Sequence, residues 1–233
     1  FGAVPSNATA LAVMRLMAHP KLAADMVEGK YEDAGVLSLG AAYLMLKDRN
    51  FDTITKMAGK KVAVLEHDHS QFTIAQWHGM QPVQADVNTF GGMFNNGQVD
   101  IIGAPAMAFK PMELYKGLGT RGGIVRFPLL HVSTNIIIDR TKFPVGFGQK
   151  SREWAVSQLP KVMSWVERME ADIPEKLWIP MSANDYVGYT RLMREGRVNM
   201  TKRGLYNPKM MKLLKRIRCT QNPNSFECSL KDE

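Results

Sequence analysis

The sequence predicts an α/β protein of two lobes on three observations. Short β-rich runs alternate with helical stretches from residue 50 to 125, two long apolar segments bracket that region, and the chain turns helical beyond Ser151. Strands separated by single helices at this spacing build parallel βαβ units with right-handed crossovers.

In chain order, residues 6–29 read as one helix or two, with Ser6 or Asn7 as cap, Leu11, Met14, Leu16 and Met17 as apolar positions, and Gly29 as stop. Gly35 to Lys47 is too apolar for a surface strand and reads as a buried extended segment running between lobes. Lys61 to Leu65 is a strand, Ser70 to His78 a helix ended by Gly79, and Pro82 to Ala85 a second strand. Asn88 to Asn96 is a short helix stopped by Gly97, Val99 to Ile102 a third strand, and residues 107–117 a helix. Gly123 to Ile138 is again long and apolar, a second crossing strand. In the helical remainder, Ala155, Leu159, Val162, Val166 and Met169 share one face, and further helices are expected over Asn184 to Thr201 and Pro208 to Arg218.

At 233 residues the chain can bury a real core as one large domain or two joined closely. Hydrophobic residues at 45% and charged residues at 22% exclude extensive disorder. No apolar run approaches the roughly 18 residues a spanning helix needs. The net charge of +8 is concentrated near the C-terminus, where Lys202, Arg203, Lys209, Lys212, Lys215, Arg216 and Arg218 are interleaved with Met211, Leu214 and Ile217. That pattern reads as a solvated helix face over a buried stripe. Without interleaved aromatics or a nucleic-acid module, no nucleic-acid partner is expected.

Cys219 and Cys228 enclose a turn-rich loop that suits a disulfide and, with it, an oxidising compartment. Two free thiols in a reducing compartment is the other reading. A zinc site lacks a CxxC pair or a nearby His. The chain starts at Phe1 with neither an initiator Met nor a signal-peptide pattern, so a mature or trimmed form is expected.

In parallel α/β sheets, ligands sit beyond the carboxyl ends of strands, near helix N-termini. That rule selects Glu66, His67 and Asp68 after the first strand, Asn88 and Thr89 opening the second helix, and Gly103, Ala104 and Pro105 after the third strand. Asn88 reads equally well as a plain N-cap. The cluster Glu66-His67-Asp68-His69 carries an alternative. On an extended segment, an HxH pair aims both imidazoles one way, so Glu66, His67 and His69 would serve a metal-dependent enzyme. No further strand end supplies a third ligand, because His78 falls within a helix and His131 within an apolar run. No G-x-S-x-G elbow, G-x-G-x-x-G or P-loop is present, so neither nucleophilic catalysis nor a nucleotide cofactor has support.

The stretches Ala58-Gly-Lys-Lys-Val-Ala-Val64, Met93-Phe-Asn-Asn-Gly-Gln-Val-Asp100, Pro105, Glu113-Leu-Tyr-Lys116 and Phe143-Pro144 resemble the periplasmic solute-binding proteins of TRAP-type transporters, in particular an uncharacterised TRAP-related branch. The resemblance covers residues 35 to 145 and implies a type II periplasmic-binding fold. In that fold two α/β lobes joined by crossing strands close on a ligand. Residues 41–138 would form lobe II with the crossings, and 1–40 with 139–233 would form lobe I and the C-terminal helices, lobe I lacking its first strands. Also implied is a periplasmic protein that captures a small polar or anionic metabolite and delivers it to membrane transporter subunits, with no cofactor, metal or catalytic role. Ser38 and Tyr43 on the first crossing, and Arg126 and Asn135 on the second, would join the strand-end residues in the cleft. One departure stands out. The family's carboxylate-binding Arg on the first strand is Ala63 here, which removes a bidentate clamp and leaves Arg126 as the substitute.

Overall fold

A computed structural model describes residues 1–233. The first helix, α1 (Asn7–Met17), begins where Ser6 Oγ accepts the Thr9 N–H at 3.1 Å. A 3-10 segment over Pro20–Met26 follows, so the region expected as one or two helices holds a single α-helix and this tighter turn. β1 (Val27–Glu28) passes through Gly29, at φ 58°, into β2 (Tyr31–Leu46), a strand of 16 residues that starts four residues before the expected segment.

Next come α2 (Ile54–Met57), β3 (Lys61–Leu65), α3 (His69–Trp77), β4 (Gln81–Ala85), α4 (Val87–Asn95) and β5 (Ile101–Pro105), which reproduce the expected alternation. The chain continues with α5 (Leu114–Leu118), β6 (Gly123–Val125), β7 (Leu130–Asp139), α6 (Phe147–Ala171), β8 (Trp178–Ile179), α7 (Ala183–Lys202) and α8 (Pro208–Gln221).

Four expectations are corrected. The helix expected over 107–117 is a 3-10 turn at Ala106–Ala108 followed by the short α5: Pro111 has no N–H for a helical bond, and Glu113 adopts φ 51°. The run from 123 to 138 is two strands, because Pro128 cannot donate to a ladder and the chain bends at Phe127. On α6, Ala155, Leu159 and Val166 are buried, but Met169 is 41% exposed where the last turn leaves the core. The C-terminal cations are not all solvated, since Lys215 and Arg218 are buried on α8.

All strands join one mixed sheet in the order β4-β3-β5-β2-β6-β8, with β1 and β7 also paired to β2. β3 lies parallel to β4 and β5, whereas β2 is antiparallel to β5, β6 and β7. β7 follows β2 from Tyr31 to Ala42, with register shifts between Asp33 and Val36 and between Ser38 and Gly40. Alternation along the strands feeds two cores. Tyr43, Met45, Ala63, Ile102 and Phe94 belong to one, and Leu44, Leu46, Val62, Val64 and Ile101 to the other. Within β2, Gly40 at φ 85° crosses under α6, and a Cβ there would lie 2.6 Å from Val166 Cγ1.

Beyond α8, Cys219 and Cys228 are disulfide-bonded across a sequence separation of 9. The segment after α8 returns two carboxylates to the helices, Glu227 from within the disulfide loop and Glu233 from beyond it. Glu227 Oε1 accepts from Arg197 Nη2 at 2.8 Å, and Glu233 Oε1 accepts from Arg197 Nε at 2.7 Å and Arg218 Nη2 at 3.0 Å. Both arginines are buried, so these carboxylates compensate guanidinium groups that have left water. No helix is long and apolar enough to cross a membrane.

Two stability outcomes follow from this packing. Gly40→Ala combines a left-handed backbone with a clash against Val166 and should cost about 2–4 kcal/mol in urea denaturation. Reducing Cys219–Cys228, or replacing both with Ser, should cost about 2–3 kcal/mol by the loop-closure entropy of so short a ring, read as a lower denaturation midpoint with little change in slope.

Candidate functional site

β3 and β5 are hydrogen-bonded neighbours only at Val62↔Ile101 and Ala63↔Ile102. Beyond those pairs they part. β3 stays with β4 as far as Leu65↔Ala85, and β5 stays with β2 as far as Pro105↔Ala42. The carboxyl ends of two parallel strands thus form the arms of a fork, the place where open α/β sheets bind ligands. The Leu65 N–H, which would have continued the ladder toward β5, donates instead to Gln71 Oε1 at 3.1 Å.

The fork opens into a cavity of about 480 Å³, within the usual range for small-molecule sites. Ala63, Leu65, Phe90, Ala104 and Met112 line it from one core, and Leu44, Val62, Val64, Ala75 and Met80 from the other. Polar side chains in the wall are few: Asp68, Gln71 and His78. Asp68 caps α3, its Oδ1 accepting the Ser70 N–H at 2.9 Å and the Gln71 N–H at 3.0 Å. Burial holds the His78 imidazole below its ordinary value of 6.5, outweighing the opposing pull of Glu195. His131 is lowered in the same way by burial, while its Nδ1 pairs with the Val4 carbonyl at 2.8 Å.

A second cavity of about 270 Å³ lies among Tyr43, Arg126, Glu167, Glu170, Glu175 and Trp178. Here Arg126 Nη2 donates to both Glu175 oxygens at 2.6 Å, and its guanidinium lies 4.9 Å from the Trp178 ring centroid. The Tyr43 hydroxyl donates to Glu170 Oε1 at 2.9 Å. Burial, followed by the Glu170 charge, raises the Tyr43 pKa, so the phenol stays protonated.

The residues selected from sequence are therefore divided. Asp68, Ala104 and Pro105 line the fork, while Tyr43 and Arg126 belong to the second cavity. Glu66, His67, Asn88 and Thr89 are exposed at the strand-to-helix turns and line neither cavity. Asn88 is not a cap: Asp86 Oδ1 accepts the N–H groups of Asn88 at 2.6 Å and Thr89 at 3.1 Å. Ser38 is buried with its Oγ accepting the Gly40 N–H at 3.0 Å, and Asn135 Nδ2 donates to the Asp33 carboxylate. Glu66 and His67 occupy a tight turn and His69 begins α3, so the extended geometry expected of an HxH pair is absent; no group of three His, Cys, Asp or Glu side chains could hold a metal ion. Gln71 escaped the sequence reading, although it stands three residues after the Asp68 cap, where a helix-opening Gln commonly bonds back to the backbone.

A family model described as solute-binding protein AdeT 1/2 matches residues 1–233. The "probable solute-binding protein AdeT1" of Acinetobacter baumannii is 47% identical over 232 residues, covering 100% of this chain and 76% of that protein. AdeT2 of the same organism is 28% identical over 229 residues, covering 98% of this chain and 96% of that one. Among solved structures, a TRAP periplasmic solute-binding protein from Rhodoferax ferrireducens with bound malonate superposes with TM-score 0.74 at 12% identity, covering 97% of this chain and 72% of that one. One from Desulfovibrio salexigens with bound orotic acid gives TM-score 0.73 at 14% identity, covering 93% and 73%. The ectoine-binding protein of the TeaABC TRAP transporter of Halomonas elongata gives 0.72 at 10%, covering 93% and 74%. These likenesses establish the TRAP-type periplasmic-binding fold.

The two depressed imidazoles give the fold a pH signature. Below the ordinary value of 6.5 the unfolded chain binds protons that folded His78 and His131 resist, so their contribution to stability is full above that pH and lost below it. Melting temperature should fall between pH 7.5 and 5.5, and His78→Gln with His131→Gln should flatten the fall.

Proposed function

The chain belongs to the solute-binding protein AdeT 1/2 family, and from that premise we propose that it holds a small solute in the fork between β3 and β5 and hands it to membrane transporter subunits. The carrying observation is the separation of β3 from β5 after Ala63↔Ile102, which opens a cavity at the carboxyl ends of parallel strands without breaking either strand's outer pairing. On this reading residues 41–138 act as lobe II with the crossings, and residues 1–40 and 139–233 act as lobe I with the C-terminal helices. The register shifts on β2 at Asp33/Val36 and Ser38/Gly40 are where the crossing would flex during closure. The periplasm is the proposed compartment, supported by the Cys219–Cys228 disulfide. The role is carriage rather than catalysis, in keeping with a family described by solute binding.

Native mass spectrometry of freshly purified protein should reveal a co-purifying small molecule, and a matching compound added back should raise the melting temperature by linkage. Ala104→Trp, which fills the fork, should abolish both effects. A ligand that survives Ala104→Trp would place the binding site elsewhere.

A further inference from the structure

Resting on the reading of the fork as the solute site, we propose that its solute is a predominantly apolar molecule, uncharged or carrying a single positive charge, and not a carboxylate. Of the 26 residues lining the cavity, 21 are hydrophobic, and none is Lys or Arg. A carboxylate buried there would lose its hydration without gaining a counter-charge.

Backbone donors do not make up the deficit. Helix N-termini beside such a fork ordinarily receive anions, but the α3 terminus is occupied by the chain's own Asp68 and the α4 terminus by Asp86. The Leu65 N–H, released where β3 parts from β5, is taken by Gln71 Oε1. Arg126 sits in the other cavity, already paired with Glu175. What remains in the wall favours the opposite sign: Asp68 is the only acidic side chain there and its Oδ1 serves the cap, leaving Oδ2, while burial lowers the pKa of the Phe1 amine, which also lines the wall, to about 5, so that it is largely uncharged at neutral pH. An ammonium or hydroxyl head could meet that oxygen while an apolar body fills the space between the two cores. The proposal departs from the sequence expectation of a polar or anionic solute in taking an apolar body with one donor head.

Isothermal titration of the intact protein with n-octylammonium, 1-octanol, octanoate and malonate tests this. n-Octylammonium and 1-octanol should bind saturably at one site, with octanoate weaker than n-octylammonium by about tenfold or more. Shortening to n-hexylammonium should weaken binding by roughly sixteenfold, at about fourfold per methylene. Asp68→Asn keeps the helix cap and should weaken n-octylammonium about tenfold, with 1-octanol changing less than about twofold. Ala63→Arg should lose n-octylammonium and gain octanoate. If octanoate or malonate binds wild-type protein more tightly than n-octylammonium, and Ala104→Trp or Ala63→Leu abolishes that binding, the solute class is overturned while the fork survives as the site. If no probe binds saturably, or binding ignores every fork substitution, the fork fails as the site and the class fails with it.

Discussion

β2 must find partners for the backbone of 16 consecutive residues, and no single neighbour supplies them. Its first twelve residues run against β7, and its last five against β5, with β6 joining on the opposite side at Met45 and Leu46. Segments more than fifty residues apart in sequence are thereby tied to one strand. Because β5 is committed to β2 and β3 to β4, the two inner parallel strands share only two residue pairs before diverging. The cavity is a consequence of how hydrogen bonds are allotted across the sheet, and needs no missing side chain to create it.

The caps add a chemical constraint to this geometric one. A helix N-terminus attracts anions only while its N–H groups are free. Both helices that open beside the fork begin with an aspartate, and each aspartate spends one oxygen on two of those N–H groups. Residues that look like local start signals thus also decide which charges the neighbouring space tolerates. Ala63, where the resembling family carries an arginine, points in the same direction from the strand side.

Much of the fold was legible because local patterns and tertiary structure agree. Lys61–Leu65 forms the strand its short β-rich run predicts, and Ser6 caps the helix it precedes. Failures cluster at prolines within apolar runs. Pro111 and Pro128 each break an element that hydropathy alone would extend. The site was less legible than the fold. Strand-end logic reached Asp68, Ala104 and Pro105, but Glu66 and His67 are exposed in the turn before α3, and Asn88 and Thr89 on the first turn of α4. Tyr43 lies on β2 and Arg126 in the bend between β6 and β7, and both face a separate pocket. Buried Arg218 was misread as solvated because its partners, Glu227 and Glu233, come from beyond the helix.

Those last partners also bear on how the molecule is assembled. Synthesis proceeds from the N-terminus, so α7 and α8 emerge before the carboxylates that neutralise Arg197 and Arg218. A buried guanidinium lacking its carboxylate is worse by about 3–5 kcal/mol, and Arg197 and Arg218 also hold the Phe1 and Ala3 carbonyls. Residues 1–3 therefore lock onto α7 and α8 only when the region after α8 arrives, and oxidation of Cys219 with Cys228 then holds that region in place. A nascent chain stalled short of Glu227 would carry two unneutralised cations into its own core, so this part of the fold becomes stable only once the segment after α8 is made.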